Sequence, residues 1–132
     1  MNYLVDTHIL LWSFLETEKL SKKTKSILLN EDYTIYYSPI SLWEISIKYG
    51  LKKLLLNGGT PDDFFSELNN SYYHCKTIDT IDLITNYKLP AHHKDPFDRF
   101  LILEAIRNDF ILISADGNME LYKKEGLKIV YA

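Results

Sequence analysis

The chain is poor in several residue types and patterns that mark other protein classes. Its single cysteine, Cys75, excludes an internal disulfide and a thiolate zinc site, and we expect a buried, inert thiol. There are only 5 glycines, and neither glycine-rich fingerprint of nucleotide-binding loops is present. No apolar run approaches the roughly 18 residues of a membrane span, and the first residues do not resemble a signal peptide. These absences predict a cytoplasmic protein with no membrane partner.

Positive charge is also scarce. There are 15 Lys and Arg against 18 Asp and Glu, which gives a formal net charge of -3. The overall field therefore repels phosphate, and binding of a polyanion through bulk charge is excluded. If the protein handles nucleic acid, the attraction has to come from a local group of basic side chains or from metal ions held by carboxylates.

What is present indicates one compact domain covering residues 1–132. Hydrophobic residues make up 46% and charged residues 25%, close to the globular average. Short β-rich runs alternate with helical patterns, which predicts an α/β fold: a three-layer α/β/α sandwich around a mainly parallel sheet of about five strands. The expected strands are 3–5, 34–37, 73–78, 110–114 and 127–131. The expected helices begin near residues 9, 21, 39, 60, 79, 95 and 116.

Two aspartates follow predicted strands. Asp6 ends the first strand and Asp116 follows the fourth, so a shared strand direction would bring both to one edge of the sheet, where such folds bind ligands. Each also precedes a helix, and aspartate is a preferred helix N-cap. For either residue taken alone, a structural cap is the simpler interpretation.

Two further acids fall on the inward faces of predicted helices. Glu44 lies on the apolar arc of its helix, where an ion pair with Lys48 at i,i+4 would contribute only about 0.3 to 0.5 kcal/mol. Asp98 also faces the core, although the helix dipole favours an acid in the first turn. Asp95, directly before Pro96, is expected to be the N-cap of that helix.

These four acids together suggest a metal site. Like charges about 4 Å apart repel by roughly 1 to 4 kcal/mol, and a divalent cation between them would relieve that repulsion. Ligands that are all oxygen favour a hard ion, Mg²⁺ or Mn²⁺, over zinc. One or two such ions can activate water and stabilise the leaving oxygen of a phosphodiester.

Four short segments in order resemble the motifs of PIN domains, and within that family the VapC-like toxins of bacterial type II toxin-antitoxin systems. The segments are Leu4-Val5-Asp6-Thr7-His8, Leu42-Trp43-Glu44-Ile45, His93-Lys94-Asp95-Pro96-Phe97-Asp98-Arg99 and Leu112-Ile113-Ser114-Ala115-Asp116. The resemblance covers essentially the whole chain. Any one motif is weak, but four in this order and spacing are specific.

The resemblance implies a metal-dependent endoribonuclease, with Mg²⁺ or Mn²⁺ as cofactor and RNA as substrate. It also implies a cognate antitoxin that blocks the site and a homodimeric assembly. Carried onto this sequence, the catalytic and metal-binding residues are Asp6, Glu44, Asp98 and Asp116.

Several further residues receive supporting roles by the same resemblance. Ser114 stands where the motif has Thr or Ser, whose hydroxyl can hold a water or a neighbouring carboxylate. Asn118 offers a neutral oxygen or a local cap. Arg99 could pair with a neighbouring acid or contact phosphate, and both roles stay open. His8 stands where many members of the family carry a small polar residue. It could contact substrate or pack against the core, and packing is favoured.

Basic side chains near the acidic motifs are candidates for guiding RNA. Lys48 and Lys94 are the first of these, with Lys52 and Lys53, although isolated lysines are usually solvated surface. His92 and His93 are adjacent, so their side chains should diverge and do not suggest a joint metal site.

Two other functions remain open. The same carboxylates would serve a DNA or structure-specific nuclease, and the fold alone would serve a non-catalytic protein-binding module. A haloacid-dehalogenase type of phosphotransferase also begins with an acid after a strand, but it needs a second acid two residues after Asp6, where His8 stands.

Overall fold

The computed structural model describes residues 1–132. The strands are β1 Asn2–Val5, β2 Thr34–Tyr37, β3 His74–Cys75, β4 Ile111–Ser114 and β5 Lys128–Tyr131. The α-helices are α1 Thr7–Leu15, α2 Lys22–Leu29, α3 Pro39–Gly50, α4 Pro61–Asn69, α5 Thr80–Ile84 and α6 Pro96–Arg107. Short 3-10 helices span Thr17–Lys19, Asn86–Lys88 and Gly117–Glu125. None of these helices is long and apolar enough to cross a membrane.

All five strands are parallel, in the order β3-β2-β1-β4-β5. β1 lies in the centre, with Tyr3 opposite Ile35 of β2 on one side and Ile111 of β4 on the other. The predicted α/β class with five strands is confirmed. Because β1 and β4 are parallel neighbours, the residues that follow them emerge at the same edge of the sheet.

Successive side chains of a strand point to opposite faces of the sheet, and a hydrophobic core lies on each face. Tyr3 and Val5 pack with α1, α2 and α4 on one face. Leu4, which points the other way, packs with α6 and the 3-10 helix Gly117–Glu125. The sheet therefore has helices on both faces, which is the three-layer sandwich predicted from the sequence.

Helix starts are set by local capping. Ser38 accepts a hydrogen bond from the Ile40 N–H before Pro39 opens α3. Thr60 and Asp63 form a reciprocal capping box at the start of α4. Each satisfies backbone donors that the first turn of a helix leaves free.

Some local predictions are wrong. The third strand covers only His74–Cys75 rather than 73–78, and the segment 79–87 divides into α5 and a 3-10 turn. Residues 117–125 form a 3-10 helix rather than an α-helix. The thiol of Cys75 is exposed instead of buried, because β3 is the edge strand of the sheet and both of its residues face solvent.

Candidate active site

Asp6 combines a cap with a position at the edge of the sheet. It follows β1, it is 3% exposed, and its Oδ1 accepts a hydrogen bond from the Ile9 N–H at 2.9 Å. Burial raises the pKa of Asp6 and the charge of Glu44 adds to that rise, while the Ser114 hydroxyl and the Ile9 N–H act in the opposite direction. The predicted capping role is therefore confirmed, and it holds the carboxylate in a place where its charge is costly.

Asp116 occupies the equivalent position after β4. Its Oδ1 accepts a hydrogen bond from the Asn118 N–H at 2.9 Å, and its own N–H donates to Ser114 Oγ at 3.0 Å. Partial burial acts to raise its pKa, but hydrogen bonds from His93 and from Asn118 outweigh burial and lower it. Ser114 is fully buried, and its hydroxyl oxygen accepts the hydrogen bond from the Asp116 N–H, whereas Asn118 contributes its backbone N–H and is exposed.

α6 supplies the third carboxylate. Asp95 is the N-cap, as predicted, and accepts a hydrogen bond from the Phe97 N–H at 2.9 Å. Asp98, in the first turn, points toward the sheet edge with 20% of its side chain exposed. Burial, reinforced by the charges of Asp95, Asp6 and Glu44, raises the pKa of Asp98 to about 7, and His93 opposes the rise.

Glu44 is buried on α3, 2% exposed, and faces an adjoining cavity that His8 and Lys53 also line. Its Oε2 accepts a hydrogen bond from Lys48 Nζ, so the i,i+4 ion pair considered from the sequence is present. That hydrogen bond raises the pKa of Lys48. The second oxygen, Oε1, is buried without any hydrogen-bond partner.

The three aspartates meet in one open cleft of about 290 Å³ at the carboxyl edge of the sheet. Its lining consists of Asp6, His8, Trp12, Asp98, Ala115 and Asp116. Glu44 lines the neighbouring cavity instead, but its charge raises the pKa of both Asp6 and Asp98, so these three acids are coupled electrostatically.

His93 is a site residue that the sequence reasoning missed. Its Nε2 lies 2.6 Å from Asp116 Oδ2 and 3.4 Å from Asp98 Oδ2. The rings of His92 and His93 do diverge as predicted, since His92 packs edge-on against Tyr122 at 5.2 Å. The available signal was one histidine five residues before Asp98.

Arg99 pairs with no carboxylate, which corrects one of its two predicted roles. Its guanidinium donates to four backbone carbonyls and to a side-chain amide in the loop before α6. The acceptors are Asn86 O and Oδ1, Leu89 O, Pro90 O and His93 O, at 2.9 to 3.2 Å. The carbonyls of residues 86–93 point toward Arg99 on α6, and the planar guanidinium of Arg99 donates a hydrogen bond to several of them at once.

The remaining candidates lie around the cleft. His8 is exposed at its mouth, with its ring 6.0 Å from that of Trp12, so the prediction of a packing histidine is wrong. The second position after Asp6 in α1 faces outward, away from the core. Lys94 is exposed, and Lys48 is engaged with Glu44.

The residues present fit a divalent cation. Three carboxylates share a cleft, and Glu44 Oε1 beside it is a buried acceptor without a partner. A cation there would offset the burial and the repulsion between acids that raise the pKa of Asp6 and Asp98. The donor atoms of His93, Asp98 and Asp116 lie within 4.8 Å of one another. Oxygen-rich ligand sets of this kind suit Mg²⁺ and Mn²⁺.

A parallel α/β domain with an acidic cleft at the carboxyl edge of its sheet defines the class of this protein. The family model of the PIN domain matches residues 3–125. The chain therefore belongs to the PIN domain family, a family of nucleases. No curated protein sequence matches the chain.

Solved structures share the whole fold. A chain in the structure of VapBC2 from Rickettsia felis bound to a DNA fragment from their promoter has a TM-score of 0.69 at 18% identity, covering 99% of this chain and 98% of that one. FitAcB from Neisseria gonorrhoeae has a TM-score of 0.66 at 15% identity, covering 98% of this chain and 96% of that one. VapBC-5 from Mycobacterium tuberculosis is a member of the VapBC family of toxin-antitoxin systems. Its TM-score is 0.63 at 11% identity, covering 99% of this chain and 98% of that one. At these identities the likeness establishes the fold.

Proposed function

We propose that this protein is a metal-dependent endoribonuclease, with Mg²⁺ or Mn²⁺ as cofactor, and the toxin of a toxin-antitoxin pair. The observation that carries the proposal is the meeting of Asp6, Asp98 and Asp116 in one cleft, with Glu44 beside it. A cluster of buried acids costs stability unless a cation offsets it, and a nuclease of this family has a use for that cation.

Each side chain has a distinct task in this proposal. Asp6, Asp98 and Asp116 would hold the cation, with Glu44 adding negative charge from the adjoining cavity. When bound, the cation supplies Lewis acidity toward the phosphodiester and toward the attacking water. The Ile9 and Asn118 backbone N–H groups fix the orientation of Asp6 and Asp116, and the buried hydroxyl of Ser114 accepts the Asp116 N–H.

Access of a polyanion to the cleft depends on local charge. With a net charge of -3, the protein has no general attraction for RNA. Exposed Lys94 precedes α6, and Lys53 lines the cavity next to the cleft, so both are candidates for phosphate contacts. Lys48 is a weaker candidate because Glu44 already binds its ammonium.

The structural likeness supports a protein partner. Two of the three similar structures named above are VapBC structures, and VapBC-5 is described as a member of a family of toxin-antitoxin systems. We therefore propose a cognate antitoxin that covers the cleft. A homodimer is proposed from the sequence resemblance alone. Sedimentation velocity of the purified protein tests the dimer, and growth arrest on expression, relieved by Asp98→Asn, tests the toxin role.

The direct test is cleavage of total cellular RNA by purified protein in Mg²⁺, in Mn²⁺ and in EDTA. We expect cleavage only with a cation, and a loss of about 100-fold or more for Asp6→Asn, Glu44→Gln, Asp98→Asn and Asp116→Asn. Asp32→Asn is the matched control, because Asp32 is exposed in a turn outside the cleft.

The same assay separates the alternatives. Cleavage of single-stranded or branched DNA in preference to RNA would support a DNA or structure-specific nuclease. A folded protein that cleaves neither substrate with any cation would support the non-catalytic module. RNA cleavage that persists in EDTA and in the four variants would contradict the proposed site.

A further inference from the structure

His93 supplies the nitrogen donor in the group that it forms with Asp98 and Asp116. Its ring lies between the carboxylates of Asp98 and Asp116. The exposed fractions of the three side chains are 14% for His93, 20% for Asp98 and 33% for Asp116. The distances from Nε2 are 3.4 Å to Asp98 Oδ2 and 2.6 Å to Asp116 Oδ2. A neutral imidazole has one N–H, and it cannot satisfy both carboxylates.

The backbone of His93 is fixed from two sides. Its N–H donates to the hydroxyl of Tyr122 at 2.7 Å, and that hydroxyl donates to Pro90 O at 2.8 Å. Its carbonyl accepts a hydrogen bond from Arg99 Nη1 at 3.1 Å. Tyr122 is fully buried, so the hydroxyl that binds the His93 N–H belongs to a core residue. The fold thus fixes the backbone position from which the imidazole reaches Asp98 and Asp116.

The spacing of the three donor atoms matches a coordination shell. In an octahedral ion with bonds of about 2.1 Å, neighbouring ligand atoms are about 3 Å apart. The two distances from His93 Nε2 lie on either side of that value, and all three atoms fall within 4.8 Å of one another. Small side-chain shifts would bring all three to a common cation.

We propose that His93 gives a ring nitrogen to the cation that Asp98 and Asp116 hold, and that this mixed nitrogen and oxygen site prefers Mn²⁺ to Mg²⁺. The inference rests on the metal site of the proposed function. Imidazole binds transition-metal ions readily, whereas Mg²⁺ keeps to oxygen ligands and water, so replacing one oxygen by a nitrogen favours Mn²⁺. Tyr122 and Arg99 act as positioning residues for His93.

The test is direct observation of the ligand on Mn²⁺-loaded protein. Pulsed electron paramagnetic resonance detects a nitrogen nucleus bound to Mn²⁺, and equilibrium titration gives the affinities for Mn²⁺ and Mg²⁺. We expect the nitrogen signal in the unaltered protein and its loss in His93→Gln. We also expect Mn²⁺ affinity to fall about 10- to 100-fold and Mg²⁺ affinity to fall less.

Matched variants exclude indirect effects. His92→Gln and His8→Gln remove the neighbouring ring and the ring at the cleft mouth, and both should keep the nitrogen signal. Tyr122→Phe keeps the His93 ring but removes the hydroxyl that accepts its N–H, so we expect a weaker nitrogen signal and a reduced Mn²⁺ preference. Melting temperatures in EDTA show whether each variant is folded.

Two results would overturn the inference: no nitrogen signal from bound Mn²⁺ in the unaltered protein, or an unchanged signal in folded His93→Gln. Equal losses of Mn²⁺ and Mg²⁺ affinity would reject the selectivity. None of these readouts requires catalysis. Nitrogen-bound Mn²⁺ without RNA cleavage therefore counts against the proposed function alone, and metal-dependent RNA cleavage without the nitrogen signal counts against the role of His93 alone.

Discussion

Asp98 and Arg99 are consecutive residues of α6, and their side chains serve two different structures. The carboxylate of Asp98 faces His93 Nε2 at 3.4 Å inside the cleft. The guanidinium of Arg99 turns away and binds the loop before the helix, including His93 O at 3.1 Å. Asp98 contributes a carboxylate to the site, and Arg99 binds the loop that carries His93.

Replacing Arg99 by Lys should destabilise the protein. A lysine ammonium has no planar fork and cannot reach the five acceptors that Arg99 binds, so partly buried carbonyls in the loop lose their donors. We expect the free energy of unfolding to fall by roughly 2 to 4 kcal/mol in urea titration. Arg107→Lys is the control, since Arg107 on the same helix makes one ion pair, with Asp82, that lysine can replace. Equal losses in the two variants would contradict the anchoring role.

Much of the site could be predicted from the sequence because its signals are local. Asp6 and Asp116 follow strands, and parallel neighbours place strand ends together whatever the details of packing. Asp98 and Glu44 break the apolar face of a helix, which a helical wheel detects. These arguments require only the period of a helix and the direction of a strand.

The roles of His93 and Arg99 could not be predicted in the same way. The loop between α5 and α6 has no repeating pattern, and its path is set by hydrogen bonds to Arg99 and to Tyr122, which is 29 residues from His93 in sequence. The exposure of Cys75 depends on β3 being the edge strand, which is a property of sheet order. Long-range contacts of this kind leave no local signature.

A divalent cation should stabilise the protein by binding only the folded state. At 100 times its dissociation constant, a ligand adds about 2.7 kcal/mol to the free energy of unfolding. We expect Mg²⁺ or Mn²⁺ to raise the melting temperature and EDTA to reverse the rise. In Asp98→Asn the cation should have little effect, and at pH 8 in EDTA this variant should melt no lower than the unaltered protein, because it removes repulsion with Asp6 and Asp95.

Asp32→Asn is the control for this experiment, because Asp32 is exposed and lies outside the cleft. It should keep the full response to the cation. An equal rise in melting temperature in Asp98→Asn and Asp32→Asn would mean that the cation acts elsewhere on the surface.

Lys48 should be worth more to stability than an exposed lysine. It is the partner of Glu44, whose carboxylate is buried with one oxygen already unsatisfied. Lys48→Met removes the remaining partner, so we expect the free energy of unfolding in EDTA to fall by roughly 1 to 3 kcal/mol. Adding Glu44→Gln should recover most of the loss, because no buried charge is then left unpaired.

A double-mutant cycle over Glu44 and Lys48, measured by urea unfolding, gives their coupling energy. Lys53→Met is the matched control, since Lys53 lines the same cavity and forms no ion pair. Its effect should be small. A coupling energy near zero would show that Glu44 is stabilised by some group other than Lys48.

Glu104 gives the fold a dependence on pH from a place outside the cleft. It is fully buried on α6, and neither of its oxygens has a hydrogen-bond partner. Burial raises its pKa from an ordinary 4.5 to about 7; nearby Ser38 and Lys76 oppose the rise, and the charges of Asp82 and Asp79 add to it. Between those two values the folded state holds more protons than the unfolded state, so stability should fall as the pH rises through this window and level off above it.

Glu104→Gln should remove this part of the slope, because the amide stays neutral at every pH. Against the unaltered protein we expect little difference in the free energy of unfolding below about pH 5 and a gain of roughly 3 kcal/mol at pH 8. Urea titrations at pH 5, 6, 7 and 8 measure both curves. The slope that Asp98 contributes is common to both proteins and cancels in the difference. Glu125→Gln, at an exposed glutamate, should leave the slope unchanged, and a constant offset between Glu104→Gln and the unaltered protein would show that Glu104 is already ionised at pH 5.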